Sequence, residues 1–411
     1  MKELIMKMEK KTKVERFEME RQDSQKAWSE YNESRVKSLK YIIRPMLYIL
    51  AIAGCYNFSD INNDREQVSY TKSVFSKVYR LVMITLVVAG AAKYIACFFY
   101  LPAGYFHFIS LCAVWNIYII CIHIYNLKAT SSRFGHYEKV FQFWNQKIVP
   151  DFEELGIEYP SVKLRKGVII ILIITIVLVL LNISALGVQI SLIGGYLYTA
   201  PFETNSATLA AFFICMTAAT LAWIAPIAFI ICFTKLIQEA FKSLNKYKTK
   251  VCKQNGCKMA GNFQKFRLLH LNLCKLVSDL DEDLGWFYAI IFIFNIGLSV
   301  FTLYQIIKII TVPFEIAMFV FWCLTGLAGI GAPAIYAAYV NDAAHAPLDS
   351  IYYINVQDIT VEKLAQLNLF LSKLTGTQVG FSTCGLLIIT KEFILTIAGV
   401  FLTYFAVLYT L

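Results

Sequence analysis

A chain of 411 residues that is 58% apolar, with a mean hydropathy of +0.57, is too greasy to fold as a soluble globule. This is the composition of an all-α integral membrane protein. The formal net charge of +10 would suit a nucleic-acid binder, but the basic residues sit in gaps between apolar runs. There they fix topology and meet anionic membrane lipid, so nucleic acid is not an expected partner.

Residues 1–40 mix eleven basic with eight acidic positions and read as a solvated cytoplasmic tail. The start, Met1-Lys2-Glu3, has no secretory apolar core, so no cleaved signal peptide is expected. Residues 41–411 read as a single seven-helix unit, of which 378–411 form an inner linker and a last helix. Tyr41 to Gly54 is apolar but short and is broken by Arg44-Pro45. It predicts a re-entrant or interfacial helix on the inner side rather than a crossing.

Seven longer apolar runs follow at 78–101, 103–127, 167–194, 207–233, 285–311, 314–340 and 390–410. Each is close to the ~20 residues a helix needs to cross the hydrocarbon core. Seven basic residues lie in the gap 128–166, ten in 234–284 and eleven in the tail before residue 41. The gap 194–206 and the 101–104 turn hold none, and Lys308 at the end of the fifth run is the one exception. The positive-inside rule then puts the N-terminus in the cytoplasm and, after seven crossings, the C-terminus outside.

The gap 234–284 predicts cytoplasmic helical extensions of the fourth and fifth spans. Phe263, Phe266, Leu269, Leu273, Leu276 and Leu280 recur there at three- and four-residue steps. Asp279, Asp281, Glu282 and Asp283 read as a solvated charge run at a helix end. Span six carries Gly326, Gly329, Gly331 and Pro333, which suits close helix approach or a hinge. Residues 361–375 repeat the helical stripe with Leu364, Leu367, Phe370, Leu371 and Leu374. The apolar strip 379–389 must bury itself against protein, with another subunit as the natural partner. Thr390 before Lys391-Glu392 predicts the cap of the last span.

No enzymatic constellation is present: no H-E-x-x-H, no G-x-S-x-G, no P-loop and no paired intramembrane carboxylates. The eleven cysteines offer no pair in an outer gap for a disulfide, and neither a metal nor a cofactor is expected. Polar and aromatic residues in the outer halves of spans face the bundle interior and often mark ligand paths. By depth these are Tyr100, His107, Trp115, Ser184, Gln189, Thr208, Thr217, Asn295, Thr302, Tyr304, Gln305 and Trp322. Eight of them, His107, Trp115, Gln189, Thr217, Asn295, Tyr304, Gln305 and Trp322, are the candidate ligand contacts. The set holds few acids, which points away from a sugar. On the last span, Val400, Thr403, Val407, Thr410 and Leu411 share one helix face, less bulky than that of Phe401, Phe405 and Tyr409.

The C-terminal stretch 376–411 resembles the signature of insect gustatory receptors, relatives of the odorant receptors. Its parts are Phe381, Cys384 and Gly385, then the capped helix, then Thr403-Tyr404 followed by five apolar residues. The family closes this pattern with Gln-Phe, where Thr410 and Leu411 stand here. The resemblance implies a plasma-membrane chemoreceptor, a ligand-gated channel for monovalent and divalent cations. It implies a homo- or heterotetramer with related subunits, the last span of each lining the pore and a tastant bound in the outer half of each bundle. Val407, Thr410 and Leu411 would then surround the outer gate, and the loss of the glutamine would alter selectivity. A G-protein-coupled receptor would need an outside N-terminus and the Asp-Arg-Tyr and Asn-Pro-x-x-Tyr elements, which the sequence lacks. A transporter would need inverted repeats. The alternative that the sequence leaves open is a superfamily member with a non-sensory or internal nutrient-sensing role.

Overall fold

The computed structural model describes residues 38–61, 70–130, 136–193, 195–254, 263–351, 360–376 and 378–410. Residues 1–37 of the tail and Leu411 of the candidate pore face lie outside the described residues. Helix α1 (Leu39–Ile52) is followed by α2 (Tyr70–Tyr100), α3 (Phe106–Ala129), α4 (Ser161–Ile193), α5 (Ser206–Gln254), α6 (Phe263–Lys308) and α7 (Pro313–His345). After α8 (Val361–Gly376) come two short antiparallel strands, β1 (Ser382–Thr383) and β2 (Leu387–Ile388), and then α9 (Lys391–Thr410). Seven helices, α2 to α7 and α9, are long and apolar enough to cross a membrane. In hydrocarbon a chain must satisfy its backbone polar groups internally, and continuous helices do this at every apolar run.

The extensions expected beyond spans four and five are real. Each is continuous with its span, which gives helices of 49 and 46 residues. At the end bearing the basic gaps, Phe370 of α8 sits edge-on to Phe263, Phe266 and His270 of α6, with ring centres 5.9, 5.8 and 5.1 Å away. Asn245 of α5 donates to the Ala343 carbonyl of α7 at 2.8 Å, so the ends of four helices are tied together.

Helix α1 is helical as expected and too short to cross, but it does not lie open at an interface. Ile42, Ile43, Met46, Leu47 and Leu50 are fully buried, and α1 packs on α4 and α5. Its apolar side chains occupy more than one stripe, and a helix that is apolar on several faces is driven into a core. Arg80 of α2 pins the turn after it, donating to Asn57 at 3.0 Å and to the Gly54 and Asn126 carbonyls.

The strip 379–389 is a hairpin rather than a featureless linker. Cys384 and Gly385 both have left-handed backbone, φ 53° and 72°, as the two central residues of a tight hairpin turn require. Gly385 takes this shape at no steric cost, which gives the Cys-Gly pair of the motif its physical reason. Phe381 is fully buried within the chain's own core, its ring 5.8 Å from that of Tyr288. The expected subunit contact therefore does not extend to Phe381, whereas Leu386 and Leu387 remain exposed.

The acidic run at the start of span five is not simply solvated either. Ser382 donates its backbone N–H and its hydroxyl to the Asp281 carboxylate, the latter at 2.6 Å. Cys384 N–H donates to the Gly285 carbonyl at 3.1 Å. The hairpin is thus fastened to α6 just before α9 begins. Thr390 accepts from Phe393 N–H at 3.3 Å, the cap its position predicts.

Candidate functional site

Away from the basic end, α2 to α7 enclose a cavity of about 110 Å³. Tyr94 of α2, Phe108 and Trp115 of α3, Trp223 of α5 and Trp322 of α7 supply its aromatic wall. Trp115 and Trp223 meet edge-to-face at 5.9 Å. Such rings enclose much space with few rotatable bonds. Asn182, Thr220, Asn295, Ser299 and Thr302 bring polar atoms. The hydroxyls of Thr220 and Thr302 are spent on carbonyls one turn back, at 2.8 and 2.6 Å. Asn295 donates to the Tyr118 hydroxyl and to the Ile291 carbonyl, both at 2.8 Å. Its Oδ1, and Ser299 Oγ one turn further on, are buried with no partner among the described residues. Both face Gly326 of α7, where an added Cβ would lie 2.8 Å from Ser299 Oγ and 4.0 Å from Asn295 Oδ1. A glycine there keeps open a space that any other residue would enter.

One wall comes from outside the spans. The short helix Tyr196–Thr199 sends Tyr198 into the cavity, edge-to-face on Phe108 at 5.6 Å. Lys93 of α2 holds this segment by donating its ammonium to the Tyr198 carbonyl. The same ammonium lies 4.7 Å from the Tyr94 ring centre and 4.6 Å from that of Phe212. Cys97 adds a thiol contact to the Ala200 carbonyl at 3.1 Å. A cation half-buried in an apolar span is held by ring faces and a carbonyl dipole in place of water.

Of the eight candidate ligand contacts, the structure brings Trp115, Asn295 and Trp322 to this cavity. The other five do not line it. Gln305 donates to the His107 carbonyl at 3.1 Å and so ties α6 to α3. Gln189 is buried on α4 elsewhere, Thr217 is half-buried and Tyr304 is exposed. Sequence reasoning did not single out Tyr94, Tyr198, Trp223, Ser299 or Lys93. For Lys93 a signal existed, a lone charge inside an apolar run.

Helix α9 has a different character. Leu408 is its one fully buried residue, while Phe393, Ile394, Ile397 and Phe401 lean on the bundle. Val400, Thr403, Val407 and Thr410 of the candidate pore face are exposed, as are Phe405 and Tyr409. Thr403 and Thr410 donate their hydroxyls to the Gly399 and Ala406 carbonyls at 2.9 and 3.1 Å, so both threonine hydroxyls of that face are satisfied within the helix. Lys391 at its start pairs with Asp342 of α7 at 2.8 Å. The nine described cysteines are free, and among the described residues no cluster could hold a metal ion.

Comparison with known proteins gives this arrangement a context. The sequence model of the family described as "Trehalose receptor" matches residues 196–411. No curated protein matches the chain. Among solved structures, the olfactory receptor OR5 of Machilis hrabei in complex with eugenol superposes with a TM-score of 0.72 at 15% identity, over 92% of this chain and 99% of that one. A second structure of the same receptor gives 0.62 at 16% identity, over 88% and 96%. At such identities the likeness establishes a shared fold, while the family match spans more than half of the chain. The protein is therefore a multi-pass membrane receptor, not an enzyme, and belongs to the trehalose receptor family of insect chemoreceptors.

Proposed function

We propose that this protein is a chemoreceptor subunit of the plasma membrane in which a small molecule, bound in the cavity between α2 and α7, opens a cation-conducting pore lined by α9. The observation that carries this reading is the state of α9. A 20-residue apolar helix with one fully buried residue gains little from its own chain, and helices of this kind are completed by other helices or by lipid. Four copies, identical or related, would place the Val400, Thr403, Val407 and Thr410 face around a common axis. Rings of apolar side chains can close such a conduit by excluding water.

The route from cavity to pore runs through α6. Asn295 and Ser299 face the cavity, and Asp281 and Gly285 of the same helix hold the hairpin that leads into α9. A shift of α6 on ligand binding would thereby reach the base of the pore helix. The basic gaps favour an N-terminus in the cytoplasm and a C-terminus outside.

The test pairs topology with current. A tag after Leu411 is expected to stain on intact cells and a tag before Met1 only after permeabilisation, and a ligand panel should evoke cation currents in the same cells. An external N-terminus, or responses that need a G protein, would replace the channel by a coupled receptor.

A further inference from the structure

A second cavity, of about 440 Å³, lies outside the spans, between α3 and α4 at the end bearing the basic gaps. Local backbone chemistry builds it. The helix His136–Phe143 widens into a π-helical turn, Trp144–Ile148, and continues as Val149–Glu154. Such turns are rare and gather at functional sites. Gly156, with left-handed backbone at φ 64°, then stops the helix. Its N–H donates to the Glu153 carbonyl and that of Ile157 to the Phe152 carbonyl, both at 2.9 Å. The chain doubles back, and the Tyr159 ring meets those of Trp144 and Phe152 at 5.3 and 5.7 Å. These three rings, with Glu153 and Glu158, line the cavity. Tyr159 donates its hydroxyl to the Leu236 carbonyl of α5 at 3.3 Å, which fixes the returning chain.

Charge selects the occupant. From Trp144 to Tyr159 four carboxylates stand against one base, Lys147, within a gap that is basic elsewhere. Asp151 accepts from Asn272 at 2.7 Å and Glu154 pairs with Lys265 at 2.6 Å, while Glu153 and Glu158 stand exposed at the cavity. Carboxylates and ring faces both attract a cation. The lining side chain with a buried, unpartnered polar atom among the described residues is Trp144, and its Nε1 is a donor. It cannot accept from an ammonium N–H, which loses water at a cost, whereas a fully methylated ammonium has no N–H to satisfy. We infer that this cavity binds a trimethylammonium group. Its methyls pack against Trp144, Phe152 and Tyr159, and Glu153 and Glu158 balance its charge. Choline in solution and the headgroup of phosphatidylcholine both carry this group. The site is separate from the cavity between α2 and α7 and does not depend on how that cavity is read.

The test uses the full chain in nanodiscs of phosphatidylglycerol, which contain no trimethylammonium group and leave both membrane faces open. Binding of labelled choline is measured by equilibrium dialysis against empty discs, and it should saturate. The uncharged isostere 3,3-dimethyl-1-butanol should compete about tenfold more weakly, having lost the attraction of rings and carboxylates. Ethanolamine, a cation with N–H groups of its own, should also compete about tenfold more weakly. Tyr159→Leu should weaken choline about fivefold, and Tyr159→Phe, which keeps the ring, should match the unaltered chain. Because Tyr159→Phe also loses the Leu236 bond, its retained affinity separates the ring contact from local unfolding. Glu158→Gln should weaken choline about threefold and flatten its salt dependence. In phosphatidylcholine discs, choline binding persists if the ligand is soluble and vanishes if the lipid headgroup fills the site, so that arm names the source of the group. Competition by dimethylbutanol or ethanolamine equal to that of choline overturns the inference, as does the absence of saturable choline binding in phosphatidylglycerol discs. Choline binding that Tyr159→Leu and Glu158→Gln both leave unchanged places the cation elsewhere and overturns it too.

Discussion

Lys93 shows how a single residue can shape a membrane cavity without lining it. Its ammonium bonds the Tyr198 carbonyl and lies over two rings, so a charge in α2 decides where a residue between α4 and α5 stands. Lys93→Met keeps the length and apolar stem of the side chain and removes the donor. Amide exchange at Tyr198, Thr199 and Ala200, whose N–H groups close the short helix, should rise about tenfold, the scale of one hydrogen bond. Unchanged exchange, measured by mass spectrometry in nanodiscs, would show that Cys97 and the Tyr198 ring suffice. The sequence revealed this site only in part, for a physical reason. In a soluble helix the polar stripe marks the outside, but a span is apolar toward both lipid and core, so depth can be read and azimuth cannot. Depth alone placed Trp115, Asn295 and Trp322 beside His107 and Gln305, which bond each other's helices instead.

At the scale of elements the sequence was most legible where apolar runs meet polar gaps. The seven spans, the helical extensions and the Thr390 cap could all be read there. The hairpin was harder, because an eleven-residue apolar strip has no period that separates strand from buried coil. Its one local signal was the Cys384-Gly385 pair, whose left-handed backbone makes the turn. Asp281 looked like part of a solvated run because its partner, Ser382, lies 101 positions away. That contact can be followed through Cys384, whose thiol is held above its ordinary value by burial first and by the Asp281 carboxylate second. Asp281→Asn removes the second cause, so the thiol's pKa falls and the thiolate fraction at pH 8 grows. Maleimide labelling of Cys384 should accelerate about threefold, with the midpoint of its pH–rate curve moved down. Ser382→Ala keeps the carboxylate and removes only its hydroxyl partner, so the midpoint should move less than in Asp281→Asn. A midpoint moved equally by both variants would mean that exposure, not the carboxylate, governs the thiol.

For the whole molecule the decisive feature is the contrast between α5, the most buried span, and α9, the least. A bundle of α2 to α7, with α1 packed on α4 and α5, has its own core, and a helix fastened to it by the hairpin and by the Lys391–Asp342 pair is positioned from its base while most of its surface stays bare. One side of α9, through Ile397, Phe401 and Leu408, leans on the bundle. The flank through Val400, Thr403, Val407 and Thr410 and the flank through Phe405 and Tyr409 are both open, and these differ in what they suit. Phe405 and Tyr409 stack with ring centres 6.3 Å apart, a bulky surface suited to lipid or to a neighbouring subunit. The smaller flank suits a narrow conduit closed by dewetting. Val407→Ser should then wet the gate and give current without ligand. In that background, cysteines at 403 and 410 should react with external thiol reagents and block the current. Cysteines at 401, which faces the bundle, and at 405 should not. Block at 405 with none at 403 or 410 would turn the helix over, so that the aromatic flank lines the pore and the valine flank meets the membrane.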